Sequence, residues 1–145
     1  DLIEVRSGKK VNIGKFEFKG VETICNIMFN NNINTQVNYT FMDVGNKTAG
    51  KPGNKAGATV LYSKDKIKSL LSLDYVGNYF AKDNSVDKID DYLLLNTKVD
   101  YSLFNNTNIF VAIDNITDIE YKILYAGALY TMPTRIINIG IRYTF

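Results

Sequence analysis

Arg135-Ile-Ile-Asn-Ile-Gly-Ile-Arg-Tyr-Thr-Phe145 is the stretch from which the rest of the chain is read. From Ile137 every second residue is apolar (Ile137, Ile139, Ile141, Tyr143, Phe145), and Asn138, Gly140, Arg142 and Thr144 lie between them. Successive side chains of a strand point to opposite faces, so this pattern makes one apolar and one polar face, and no helical stripe competes with it. A tilted strand of roughly 9–11 residues crosses a bilayer, so the segment suffices for a transmembrane β-strand. An edge strand of a soluble β-protein would alternate in the same way.

Working outward, the same period recurs along the chain. Leu2 to Val5 reads as a short strand, broken at Ser7-Gly8-Lys9-Lys10, and a long strand follows from about Asn12 to Phe29. In that strand Val21, Thr23, Cys25, Ile27 and Phe29 share one face. Phe16 and Phe18 fall in the opposite phase, so a bulge or kink is expected at Lys19-Gly20. Thr35, Val37, Tyr39 and Phe41 mark the next strand, and Ala56, Ala58, Val60 and Tyr62 the one after. A fifth strand is predicted over Ile67 to Ala81, a sixth carries Leu93, Leu95, Val99, Tyr101 and Leu103, and a seventh carries Ile109, Val111 and Ile113. With the final strand the chain reads as all-β, about eight antiparallel up-and-down strands.

The connections are unequal. Asn30–Ile33, Ser63–Lys66 and Asn105–Thr107 are short turns, whereas Gly45–Asn54, Lys82–Asp91 and Ile116–Thr134 are long. Every short turn falls on the side of Phe145 and every long loop on the other, an asymmetry of outer-membrane barrels that a soluble barrel has no need for. From the third strand on, the apolar faces hold no charged residue, while Lys68, Asp74, Lys98, Asp100 and Arg142 fall on the opposite faces. Tyr39, Phe41, Tyr79, Tyr101, Tyr143 and Phe145 gather toward strand ends, as interfacial girdles do. Leu70, Val76 and Leu94 interrupt the polar face. These features favour a transmembrane barrel with its apolar face outward over a soluble barrel with the same face inward.

Composition narrows the function classes. The 145 residues carry 17 basic and 15 acidic side chains, a net charge of +2, and no basic block longer than Lys9-Lys10, which argues against nucleic acid as a partner. There is no His and a single Cys, Cys25, so a disulfide framework, a His/Cys metal site and a Ser-His-Asp or Cys-His catalytic set are all excluded. The glycines of 45–57 have neither phosphate-loop nor dinucleotide spacing. Asp83, Asp87, Asp90 and Asp91 lie in a polar loop without EF-hand spacing and read as solvated surface rather than as a Ca²⁺ site. No catalytic residue, cofactor or metal site is expected.

Four stretches also match a known pattern. Lys19-Gly20-Val21-Glu22 resembles the Gly-Val-Glu that opens a late strand in TonB-dependent outer-membrane receptors. Asn115-Ile-Thr-Asp118 with Tyr121 is similar to their Asn-Leu-x-Asp-x-x-Tyr segment. Tyr130-Thr-Met-Pro133-Thr-Arg135 resembles their Tyr-x-x-Pro-Gly-Arg, with Thr134 in place of the usual Gly, and Ile139 to Phe145 resembles their closing strand. The resemblance runs from about Asn12 to Phe145 and implies a barrel of about 22 strands with an N-terminal plug. It implies a receptor for siderophore-iron, cobalamin or a similar nutrient, seated in the lipid of the bacterial outer membrane and driven by TonB. Residues 1–145 are then expected to be the C-terminal part of the barrel domain, with no plug in them. The plug and the TonB box that engages TonB are expected to lie upstream. The resemblance also assigns Ile139, Ile141, Tyr143 and Phe145 to the signal read by the barrel-assembly machinery. The ligand and its binding residues stay unassigned. Two other readings remain open at this point: a complete eight-stranded outer-membrane protein, and a soluble lipocalin-like ligand-binding barrel. As an isolated piece, the chain is expected to close its first strand on its last.

Overall fold

The computed structural model describes residues 3–6, 8–12 and 17–145. They form β1 (Ile3–Arg6), β2 (Lys9–Asn12), β3 (Lys19–Asn30), β4 (Ile33–Asp43), β5 (Asn54–Lys64), β6 (Ile67–Gly77), β7 (Tyr79–Lys82), β8 (Val86–Ile89), β9 (Tyr92–Phe104), β10 (Thr107–Asp114), β11 (Lys122–Tyr125), β12 (Ala128–Thr131) and β13 (Ile136–Tyr143). Seven of these make one antiparallel sheet in the order β13-β10-β9-β6-β5-β4-β3, an up-and-down meander. The remaining six pair as the hairpins β1-β2, β7-β8 and β11-β12.

All-β, up-and-down architecture is therefore as read from the sequence, with differences of detail. The main sheet has seven strands rather than eight, because the segment at Ile3–Arg6 pairs with Lys9–Asn12 instead of joining it. The predicted strand from Asn12 to Phe29 is two elements: β2 ends at Asn12, Glu17 and Phe18 are outside any strand, and β3 starts at Lys19. No bulge occurs at Lys19-Gly20, which pair in register with Asp43 and Met42; the irregularity lies between Met28 and Asn30. Leu2, Ser7 and Phe16 lie outside the described residues. The predicted fifth strand stops at Gly77, where Asn78 takes φ 53° and Tyr79 opens a separate hairpin. Among the described residues neither β1 nor β3 pairs with β13, so the expected closure of first strand on last is not seen and the sheet is open.

Register aligns the apolar positions of all seven strands on one face. Cys25 faces Val37, Val37 faces Ala58, Ala58 faces Leu73, and Leu73 faces Leu95. Further along the sheet, Val99 faces Val111 and Val111 faces Ile139. The other face carries Glu22, Gln36, Lys68, Asp74, Asn96, Lys98, Asp100 and Arg142. It also carries Leu70, Val76 and Leu94, as the sequence indicated.

Nothing described covers the apolar face. Ile139 and Ile141 are 77% and 74% exposed, and Leu71, Leu93, Val99 and Val111 are exposed as well. A soluble sheet buries this face against a second layer. Among the described residues the buried side chains of Val44, Thr48, Tyr79, Ile89 and Asn115 sit in the long connections, at one end of the sheet. An apolar surface bared across seven strands suits hydrocarbon rather than water.

The polar face is held by cross-strand contacts. Asn96 donates to Ser72 and Asp74, Gln36 to Asn26, and Ser102 to Asn108. Phe110 faces Gly140 across the β10-β13 pair. Its ring lies 2.5 Å from where a β-carbon on residue 140 would stand, so any larger residue there would have to push the ring aside.

Replacing Leu95 by Arg puts a charge mid-strand on the apolar face and, if that face lies in hydrocarbon, should destabilise the folded protein in bilayers by roughly 2–4 kcal/mol. Denaturant titration in lipid vesicles measures it. A cost near zero would mean that this face is not in hydrocarbon.

Candidate functional site

The long connections do not behave as three separate loops. Residues 44–53, the β7-β8 hairpin and the segment 115–135 interlock at one end of the sheet. The β7-β8 hairpin closes on Asp83-Asn84-Ser85, the last two at φ 60° and 57°, and the β11-β12 hairpin closes on Ala126-Gly127, at 49° and 81°. This backbone matches the right-handed twist of the flanking strands, which explains how hairpins form inside stretches that read as loops.

The first latch joins residues 46–50 to the β7-β8 hairpin. The Lys47 ammonium meets Asp83 at 2.8 Å, and the other Asp83 oxygen accepts from the Ala49 amide. The Thr48 hydroxyl donates to the Lys82 carbonyl and accepts from the Ser85 amide. Backbone bonds from Gly50 to Phe80 and from Asn84 to Asn46 complete it. The Lys47 hydrogen bond holds the Asp83 carboxyl below its ordinary value.

The second knot is centred on Asn115, which is 4% exposed at φ 54°. Its amide donates to Asn96 Oδ1 on β9, its side-chain nitrogen donates to the Ile119 carbonyl, and its Oδ1 accepts from the Ile119 amide. Asp118 accepts from the Arg135 amide, which keeps its carboxyl below the ordinary range, and Arg135 Nε donates to the Ile116 carbonyl. Tyr121 packs its ring against Tyr92, with centroids 4.6 Å apart. The motif residues Asn115, Asp118, Tyr121 and Arg135 thus converge and act by folding the chain between β10 and β13. Leu124 then reaches the Tyr79 hydroxyl through its amide and Gly50 through its methyl group, so the β11-β12 hairpin rests on the first latch.

Under this cap lies a cleft of about 510 Å³, between the loop residues Gly50, Lys51 and Pro52 and the polar-face residues Glu22, Thr40, Met42 and Lys55. Its charged groups have both signs, and it opens where the polar face meets the long connections. No sequence motif marked it, because its lining comes from three strands and a loop that only register brings together.

The four acidic residues weighed for Ca²⁺ are dispersed. Asp83 pairs with Lys47, Asp87 with Lys82 and Asp91 with Lys88. Among the described residues no group of three or more potential ligands is placed to hold a metal ion. Ile139, Ile141 and Tyr143 lie in a row on the apolar face of the edge strand β13, and the Phe145 ring packs edge-on against Tyr143 at 4.9 Å.

No protein-family model matches the chain, and no curated protein does. Solved structures do. The siderophore receptor PiuA from Acinetobacter baumannii superposes with a TM-score of 0.80 over 97% of this chain at 14% identity. The ferric yersiniabactin uptake receptor FyuA from Yersinia pestis does so with a TM-score of 0.77 over 94% at 20% identity. The fold is that of the TonB-dependent receptor barrel. The chain spans 24% and 25% of those two proteins' lengths, so it corresponds to about a quarter of such a receptor. The connections that interlock here are the long ones, and the turns at Asn31-Asn32, Asp65-Lys66 and Asn105-Asn106 lie at the opposite end of the sheet.

Because the Asp83 pKa is depressed, its contribution to the loop latch is present above the ordinary carboxylate pKa of 3.8 and is lost as pH falls through the lower folded value. Hydrogen exchange at Ala49 in D83N should outpace wild type near neutral pH. The two should converge in acid below pH 3.8. Equal exchange at every pH would mean that the carboxylate does not hold the loop.

Proposed function

We propose that the chain forms part of the wall of a nutrient-uptake receptor in the bacterial outer membrane. Its cargo class is siderophore-iron, cobalamin or a ligand of comparable scarcity. The observation that carries this reading is the receptor-barrel fold over 97% of the chain, joined to an apolar face that nothing described covers. In this reading the apolar face meets lipid, the polar face lines the lumen, and the interlocked loops with the cleft beneath them face the outside. TonB would act through a segment outside these residues. The activity is transport, with no chemical step for these side chains to perform.

The test is uptake. Disrupting the gene should abolish TonB-dependent accumulation of one labelled ferric siderophore or of cobalamin, and the full-length gene should restore it. Unchanged accumulation across a panel of such ligands would remove the receptor reading.

The same reading gives β13 a second task. Its outward row Ile139, Ile141, Tyr143 and Phe145 is proposed as the signal recognised by the barrel-assembly machinery, supported by its exposure on an edge strand with unpaired backbone. Deleting Phe145 should lower the amount of protein in the outer membrane severalfold without lowering its synthesis. Fractionation with quantitative blotting decides it, and equal membrane abundance would refute the role.

A further inference from the structure

The three long connections meet in a closed triangle of contacts. Gly50 donates its amide to the Phe80 carbonyl, and the Tyr79 hydroxyl oxygen accepts the Leu124 amide at 2.9 Å. The third side is apolar: a Leu124 methyl lies 3.4 Å from where a β-carbon on Gly50 would stand. One vertex belongs to residues 44–53, one to the start of β7 and one to β11. Tyr79 is 5% exposed, so packing around its ring fixes where the hydroxyl points.

The Leu124 amide depends on that hydroxyl. In an antiparallel ladder, hydrogen-bonded and non-hydrogen-bonded residue pairs alternate. Met132 donates to the Tyr121 carbonyl, so this pair is bonded, and the register makes Ile123–Tyr130 and Tyr125–Ala128 the next bonded pairs. Leu124, opposite Leu129, falls between them, and its amide points out from the edge of the hairpin toward β7. The rest of the hairpin has little hold on the cap, since Tyr125, Leu129 and Tyr130 are all exposed.

At the Gly50 vertex the triangle reaches the cleft of about 510 Å³, whose loop wall is Gly50, Lys51 and Pro52. That wall is tied inward as well. The Lys51 ammonium donates back to the Lys47 carbonyl at 3.0 Å, and Lys47 pairs with Asp83.

We infer that Tyr79 is a positioning residue that couples the three connections into one unit, so that the cleft wall at Gly50–Pro52 and the β11-β12 hairpin loosen and tighten together. Such coupling is reciprocal: whatever steadies one vertex steadies the other two. It operates without a cargo, so no cargo enters the test.

Hydrogen exchange of the full-length protein in detergent, read by mass spectrometry at residue resolution, follows the amides of Gly50, Asn84 and Leu124. Y79F removes one hydroxyl. It should speed all three by a common factor of about fivefold, the loss of one neutral hydrogen bond. Val60 and Leu71 in the sheet interior should keep their wild-type rates. Asp83 touches Lys47 and Ala49 but not Leu124, yet D83N should speed Leu124 too. That variant carries the test if Y79F does not fold. Acceleration confined to Leu124 in Y79F, an unchanged Leu124 in D83N, or equal acceleration in the sheet interior overturns the coupling.

Discussion

Period-two register across seven strands is the constraint on which everything else rests. Side chains alternate strictly, so a slip of one residue in any pair would carry Lys98 or Asp100 to the apolar face and Val99 or Tyr101 to the polar face. In hydrocarbon the penalty is compounded, because each unpaired backbone amide or carbonyl costs several kcal/mol there. The interior strands β4, β5, β6, β9 and β10 have neighbours on both sides, whereas β3 and β13 have one each. Those two edges leave backbone groups without a neighbouring strand among the described residues.

Legibility from the sequence followed the same physics. Where apolar and polar residues alternate over a long run, as in Leu95 to Leu103 of β9 and Ile137 to Tyr143 of β13, the alternation located the strand and its facing. It was weaker where phase changed: the Phe16-Phe18 shift was read as a bulge, whereas the chain leaves the strand before Lys19. The two loop hairpins went unseen because their turns, Asp83-Asn84-Ser85 and Ala126-Gly127, sit in short polar or mixed runs. Four-residue strands there are too short for alternation to stand out. The loop cap and the clefts were hidden for another reason: residues far apart in sequence, such as Lys47 and Asp83 or Tyr79 and Leu124, meet in them only through the fold. The number of strands in the sheet was overestimated by the hairpin β1-β2, whose sequence alternates as well as any sheet member's.

The motif residues organise the path of the chain. Asn115 bridges the end of β10 to Asn96 on β9, and Asp118 reaches Arg135 at the start of the return into β13. A long excursion between adjacent strands is thereby clamped at its base, so its tip can vary without disturbing the pairing of β10 with β13. That division separates what must hold the wall from what can be adapted to a ligand.

The Phe110–Gly140 contact carries a consequence for how the last hairpin finds its place. The ring occupies a notch that exists only because residue 140 has no β-carbon. Sliding β13 by two residues would keep every side chain on its proper face and every backbone bond nearly intact, so neither hydropathy nor hydrogen bonding would object. It would, however, bring Asn138 or Arg142 beneath the ring, and both have a β-carbon. The contact is a key in a keyway. It rejects on shape alone the one class of misalignment that alternation cannot detect, and it does so in the strand that enters the sheet last in the order of the chain.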